Sequence, residues 1–177
     1  DDVVEVVGSL SKYFRTSLSK GKDLVTLKDE ETHVCSYLQI QKVRYGDILE
    51  YEIDIPKELY VYRIPKITLQ PLVENALYHG IKNKRSKGKI SVIGILEKDK
   101  IIIKVIDNGL GMNPERLKQV IESMQKKTEN NKDFYGLYNV NERIRMIFGS
   151  DYGLSIQSIY EVGTEVTVCL PCVTFDS

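Results

Sequence analysis

The chain has 177 residues, 25 Lys and Arg against 25 Asp and Glu, and a hydrophobic fraction of 42%. These values predict one globular domain with a short appendage at most, and they exclude a disordered or fibrous chain. Zero net charge argues against a general nucleic-acid-binding protein, so we expect no nucleic-acid partner. The chain starts at Asp1 without an initiator Met, which leads us to expect an excised fragment.

The cysteines are few: Cys35, Cys169 and Cys172. This number predicts no disulfide framework and a reducing compartment. Cys169 and Cys172 have the spacing of a redox pair, but they end a predicted strand, whereas a reactive thiolate is usually stabilised at a helix N-terminus. We therefore expect ordinary strand cysteines.

The N-terminal third of the chain predicts two helices and a strand. Apolar residues at helical spacing over 3–14 predict an amphipathic helix with a wide apolar stripe. Thr26 and Asp29 resemble a capping box that opens a second helix, ending near Val43. Alternating apolar residues over 49–55 predict a strand.

The middle of the chain predicts a helix and a hairpin. The helix follows Pro65 and ends near Gly80, with Pro71 inside it predicting a kink or a restart. Two apolar runs at 90–97 and 101–107 predict a β-hairpin.

The last third predicts two more helices and two strands. Asn113 and Pro114 resemble a cap followed by a first helical residue. The remaining predicted segments are a polar and mobile stretch at 128–133, a helix over 137–147, and strands over 154–159 and 165–170. This order favours one layer of helices on a mixed or antiparallel sheet.

Two segments carry residues suited to binding chemistry. Glu74, Asn75 and His79 cluster on the predicted 65–80 helix, where they could hold a hydrated divalent cation and an anion. Asp107 ends a strand and could accept a hydrogen bond from an exocyclic amine, while Gly109 and Gly111 would let a flat ligand approach. A solvated helix face and a simple turn explain the same segments when each is taken alone.

Four segments, taken together in their order along the chain, favour binding chemistry over a solvated helix face and a simple turn. LQPLVENALYHGI at 69–81, DNGLGM at 107–112, GLYNVNER at 136–143 and Gly163-Thr164 resemble the N box, the two glycine boxes and the final Gly-Thr box of sensor histidine kinases. The residues LQPLVENA in the first segment and NVNER in the third look most like those of the LytS/YesM-type membrane sensors. The resemblance covers about 24–171 and implies the Bergerat fold, a two-layer α/β sandwich with a mixed sheet covered by helices.

The resemblance also implies ligands and roles. Asn75 would bind the Mg²⁺ that bridges the ATP phosphates. Glu74 would lie beside the γ-phosphate as a polarising or basic group. Asp107 would receive the adenine amino group. The other residues expected to bind the nucleotide are His79, Lys82, Gly109, Gly111, Met112, Gly136, Leu137 and Thr164, with a lid over about 113–135.

Two departures from the family pattern stand out. Phe134 replaces the first Gly of the second glycine box, which puts tight lid closure in doubt. Tyr78 stands where many histidine kinases have Lys or Arg, so His79, Lys82 or the basic turn at 82–89 would have to meet the phosphate charge.

The resemblance divides the chain into a remnant of a dimerisation hairpin at 1–23, whose helix would pair in a homodimer, and an ATP-binding catalytic domain at 24–177. His33 lacks the surroundings of a phosphoacceptor and is expected on a helix surface, so the accepting histidine would lie outside this chain.

The implied function is the catalytic domain of a two-component histidine kinase, which passes the ATP γ-phosphate through a histidine to a response regulator. The parent would be a membrane-bound sensor with this domain in the cytoplasm. Two alternatives are a nucleotide-binding module that has lost kinase activity and an ATP-hydrolysing relative of the gyrase and chaperone type.

Overall fold

The fold is an α/β arrangement of five helices and seven strands over the described residues 2–18, 23–82, 86–125 and 135–175 of a computed structural model. The helices are α1 Asp2–Leu18, α2 Leu27–Tyr45, α3 Leu69–Asn75, α4 Pro114–Gln125 and α5 Tyr135–Phe148. The strands are β1 Leu24–Thr26, β2 Leu49–Asp54, β3 Arg63–Pro65, β4 Gly88–Glu97, β5 Lys100–Asp107, β6 Gly153–Ile159 and β7 Gly163–Pro171.

The main sheet has five strands in the order β2-β4-β5-β7-β6. β2 runs parallel to β4, and the remaining neighbours are antiparallel. The expected mixed sheet is therefore confirmed. β1 and β3 form a separate two-stranded antiparallel sheet that the sequence pattern did not predict, because each has only three residues.

The helices cover one face of the main sheet. Buried and half-buried residues alternate along β4 and β5, and the buried ones join a single core with apolar residues of the helices. The other face carries ion pairs between neighbouring strands, such as Lys104 with Glu165 at 2.9 Å. This two-layer arrangement agrees with the expected sandwich.

Two predicted helix starts are confirmed by hydrogen bonds. The Asp29 N–H donates to Thr26 Oγ1 and the Thr26 N–H donates to the Asp29 carboxylate, which completes the capping box of α2. Asn113 Oδ1 accepts from the Arg116 N–H at 2.8 Å and caps α4. The polar stretch at 128–133 and Phe134 lie outside the described residues.

The helix that carries the N-box residues differs from its prediction. It begins at Leu69 rather than directly after Pro65, which ends β3. Pro71 is the third residue of α3, in the first turn, where the backbone N–H has no intrahelical acceptor, which agrees with the predicted restart rather than with a kink. The helix instead widens into a π turn over Ala76–Ile81.

The N-terminal helix packs on α2 with part of the predicted apolar stripe, since Val6 and Leu10 are half-buried. Ser9 is buried and Tyr13 is half-buried, whereas Val7 and Phe14 of the predicted stripe are 55% and 59% exposed. Tyr13 stacks on the ring of His33 with centroids 4.7 Å apart. His33 is buried, so its predicted place on the helix surface is wrong. No helix among the described residues has the length and apolarity of a membrane span.

Candidate functional site

A narrow cavity lies between the π turn after α3, the adjoining ends of β5 and β7, and the 108–112 loop. Its lining includes seven of the eleven residues that the sequence predicted: Asn75, His79, Asp107, Gly111, Met112, Leu137 and Thr164. The apolar part of the wall comes from Leu72, Ala76, Val105, Ile156 and Val166, together with the backbone at Gly80. Polar groups thus converge on an apolar slot, as in sites for small molecules.

Asp107 lies on the β5 wall of this cavity. It is 5% exposed and directly opposite Thr164 in the antiparallel register of β5 and β7. Its Oδ1 accepts a hydrogen bond from the Gly109 N–H at 2.8 Å. A buried carboxylate held in this way has capacity to accept further hydrogen bonds from a ligand.

Gly80 and Gly109 allow the π turn to approach the loop closely. A Cβ on Gly80 would lie 2.5 Å from Asp107 Oδ1, and a Cβ on Gly109 would lie 2.3 Å from the Gly80 carbonyl carbon. Gly109 therefore sits behind the loop, supporting Asp107, and is not itself in the cavity lining. Its predicted role of admitting a purine stays a prediction.

Ser158 is a residue that sequence reasoning missed. Its Oγ accepts from the Met112 N–H at 2.8 Å, donates to the Gly163 carbonyl, and lies 2.9 Å from Thr164 Oγ1. The hydroxyl thus ties the 108–112 loop to the start of β7. Ser158 is 46 residues from Met112 in the chain, and the only signal for it was its place near the end of a strand next to the Gly-Thr box.

Asn75 presents an oriented carboxamide. Its Nδ2 donates to the Pro71 carbonyl at 2.8 Å, so the oxygen end of the amide is the end that can accept or coordinate. His79, one turn further along, lines the same cavity and is exposed. A single carboxamide oxygen fits Mg²⁺, which takes few protein oxygens and completes its shell with water and phosphates.

The structure does not bring Glu74 into the cavity lining. Glu74 Oε1 accepts from Gln70 Nε2 at 2.8 Å, and the same Gln70 nitrogen donates to the Tyr13 hydroxyl. Gln70 Oε1 is hydrogen-bonded to His33 Nε2 at 2.6 Å. Glu74 therefore belongs to a polar cluster between α1, α2 and α3.

Two further predicted residues also lie outside the lining. Lys82 is exposed, with its ammonium 5.8 Å from the centroid of the Tyr78 ring. Gly136 packs against the N-box helix, where an added Cβ would lie 3.4 Å from Pro71 Cβ. Tyr78, the departure from the family pattern, is hydrogen-bonded to Tyr37. Burial raises the pKa of the Tyr37 hydroxyl well above its usual value.

A second and wider groove of about 400 Å³ lies between α4, α5 and β6. It contains none of the predicted site residues. Asn141 is buried beside it and joins the three elements, because its Nδ2 donates to the Met124 carbonyl and its Oδ1 accepts from the Leu154 N–H.

The chain is similar to known proteins along nearly all of its length. Residues 65–174 match the family described as histidine kinase-, DNA gyrase B-, and HSP90-like ATPase, and residues 1–49 match the histidine kinase family. The sensor histidine kinase YesM of Bacillus subtilis is 35% identical over 96% of this chain and 28% of its own length. BtsS of Escherichia coli, another sensor histidine kinase, is 34% identical over 94% of this chain and 27% of its own length. The chain thus spans little more than a quarter of these relatives.

A solved structure supports the fold. The histidine kinase domain of the blue-light activated histidine kinase of Erythrobacter litoralis superposes with a TM-score of 0.58 at 12% identity. The match covers 97% of this chain and 75% of that one. With the family match over most of the chain and the mixed sheet in place, this protein belongs to the histidine kinase-, DNA gyrase B- and HSP90-like ATPase family and corresponds to the ATP-binding catalytic domain of sensor histidine kinases.

Proposed function

We propose that the cavity between α3, β5 and β7 binds the adenine end of ATP. The observation that carries this proposal is the buried carboxylate of Asp107 opposite Thr164 in an otherwise apolar slot. The carboxylate would accept from the exocyclic amino group, and Leu72 and Val105 would contact the ring. The cavity has about 30 Å³ of water-accessible volume, so the walls must part when a purine enters.

The triphosphate would extend towards Asn75, His79 and the start of α5. Asn75 would hold Mg²⁺ through its oxygen end, and the metal would neutralise phosphate charge. His79, being exposed at the rim, would face the phosphates, with Lys82 one turn away as a second cation. The described residues include no group of three or more His, Cys, Asp or Glu that could hold a metal alone, which is consistent with a metal that arrives with the nucleotide.

In the whole protein the reaction would be phosphoryl transfer. The bond between the γ-phosphorus and the β,γ-bridging oxygen breaks, a phosphorus–nitrogen bond forms on a histidine outside this chain, and ADP leaves. The phosphoryl group would then pass to an aspartate of a response regulator. Residues 1–23 would belong to the dimerisation hairpin of a homodimeric, membrane-bound sensor, and residues 24–177 would form its cytoplasmic catalytic domain.

The transfer is tested by supplying the missing acceptor. The chain is incubated with γ-labelled ATP and a separate fragment that carries the histidine-containing hairpin of the same protein, with a His→Ala hairpin as control. We expect acid-labile label on the wild-type hairpin alone. Absence of label under conditions where calorimetry shows bound ATP would contradict kinase activity and favour a nucleotide-binding module without catalysis, for which Phe134→Gly would be the variant to examine.

A hydrolysing ATPase is the other alternative, and the placement of Glu74 disfavours it. Activation of water requires a base at the phosphate end of the site, but the Glu74 carboxylate accepts a hydrogen bond from Gln70 Nε2 in the polar cluster with α1 and α2. We expect little steady-state hydrolysis and no large change in it for Glu74→Ala. A high rate that this variant abolishes would reverse the assignment.

A further inference from the structure

The turn that leads into the N-box helix holds an unusual backbone conformation. Ile67, between β3 and α3, has a φ of +55°. A β-branched residue is disfavoured in this left-handed region, because its Cβ comes too close to the backbone. Such a conformation persists only where surrounding contacts determine it.

A buried carboxylate holds one side of this turn. Glu30 of α2 is 2% exposed, and it accepts hydrogen bonds from three successive N–H groups, those of Ile67, Thr68 and Leu69. The N–H groups of Thr68, the N-cap, and Leu69, the first residue of α3, are donors that the start of the helix would otherwise leave unpaired. Burial raises the pKa of Glu30, and the three N–H groups and His33 counteract that rise.

An arginine holds the other side. Arg143 of α5 donates from Nη2 to the Ile67 carbonyl at 2.9 Å. Its side chain is half-buried, which lowers the pKa of the guanidinium, while the charge of Glu30 acts in the opposite direction. Glu30 and Arg143 therefore bind the N–H and the carbonyl of the same residue, Ile67. Glu30 is 37 positions from Ile67 in the chain, and Arg143 is 76 positions from it.

The turn at Ile67 leads into α3 and accepts a hydrogen bond from α5, so it links the two helices that line the cavity. Asn75 belongs to α3, with His79 in its π continuation, and Leu137 lies in the first turn of α5. The same two helices also approach each other at Gly136, where an added Cβ would lie 3.4 Å from Pro71 Cβ. The Ile67 turn is thus a further point at which the start of α3 is held to α5.

We propose that Glu30 and Arg143 are positioning residues, which fix the N-box helix against α5 through Ile67 and so set the shape of the nucleotide cavity. The proposal rests on the proposed function of that cavity. It assigns a role to Arg143 at the end of the second glycine box, a residue that does not line the cavity. A buried carboxylate is costly compared with an apolar side chain, which fits a role in specifying a geometry.

The test compares nucleotide affinity with stability in two variants. Glu30→Gln keeps the shape but replaces one acceptor oxygen by a donor, and Arg143→Met removes the donor to Ile67. Titration calorimetry with Mg-ADP on folded protein should show affinity about tenfold weaker for each.

Two controls separate positioning from general destabilisation. Arg145→Met removes an exposed charge from the same helix, and Thr26→Ala removes the cap of α2 without touching α3. Both should leave the affinity unchanged, although Thr26→Ala lowers the melting temperature. If Glu30→Gln and Arg143→Met melt earlier but bind as tightly as the parent, the positioning role is wrong. If the parent itself binds no nucleotide, the proposed function fails first.

Discussion

Asp107 and Thr164 lie opposite each other on the neighbouring strands β5 and β7. The loop that follows Asp107 contacts the turn that precedes Thr164. A Cβ at Gly163 would lie 1.9 Å from the Asp107 carbonyl oxygen, so the two strands meet with no room for a side chain there. Ser158 adds a hydroxyl that links Thr164 to Met112. The polar end of the cavity is therefore built by two strands and two loops whose geometry is mutually fixed.

Gly80→Ala should disable the cavity. The new methyl group would lie 2.5 Å from Asp107 Oδ1 and would displace the carboxylate, with an overpacking cost of about 1–3 kcal/mol. We expect Mg-ADP affinity to fall by about tenfold or more, measured by calorimetry. Gly8→Ala in α1 is the control, since its Cβ meets nothing within 4 Å. It should stabilise the fold by about 0.5–1 kcal/mol and leave binding unchanged.

Gly111→Ala and Gly149→Ala form a matched pair. Both glycines have a positive φ, at +60° and +99°, so each substitution costs about 1–2 kcal/mol of unfolding free energy in denaturant titrations. An added Cβ at Gly111 would also lie 1.9 Å from the Ile159 carbonyl oxygen, whereas Gly149 faces open space. Only Gly111→Ala should therefore weaken nucleotide binding. Equal affinities in the two variants would show that the 108–112 loop does not shape the site.

Ser158→Ala should loosen the same loop by a different route. The substitution leaves the Met112 N–H without its acceptor, which costs about 1 kcal/mol. We expect a lower free energy of unfolding and faster hydrogen exchange at the Met112 amide. Ser155→Ala, on an exposed position of the same strand, should change neither quantity. An unchanged exchange rate at Met112 in Ser158→Ala would contradict the link.

The cysteines should react slowly. Burial raises the pKa of the Cys169 and Cys172 thiols above the usual value, so the thiolate fraction at pH 8 is smaller than that of a free cysteine. Alkylation by iodoacetamide at pH 8 should accordingly be slower than for glutathione and should accelerate as the pH rises through the raised pKa. Alkylation faster than glutathione would reopen the redox interpretation that the strand location disfavours.

The motif-bearing residues could be placed from sequence because their chemistry is local. Asp107 and Gly111 lie within one short loop, and the order of the four boxes implied that Asn75 and Thr164 would join them. The predicted roles themselves stay predictions. Glu74 shows why: its position next to Asn75 suggested a place near the phosphates, but a helix turns its neighbouring residues in different directions, and Gln70 engages the side chain elsewhere.

Residues whose partners are distant in the chain could not be predicted in this way. His33 was expected on a surface, and it is buried because Tyr13 of α1 and Gln70 of α3 both pack against it. Glu30 did carry a signal, since it falls on the same face of α2 as Leu27 and Val34, which are both buried. A carboxylate within an apolar stripe indicates a buried partner, but not that the partner is the start of another helix.

Calorimetric titration of Mg-ADP and Mg-ATP into the chain and into Asp107→Asn tests the central claim most directly. Asn can still accept from the Gly109 N–H, but it then presents a donor to the adenine amino group, which is also a donor. Glu52→Gln, on the open face of the sheet, is the control. We predict binding to the parent and to the control and its loss in Asp107→Asn. Parent-like binding in Asp107→Asn, or no binding to the parent, would contradict the assignment of this cavity as the nucleotide site.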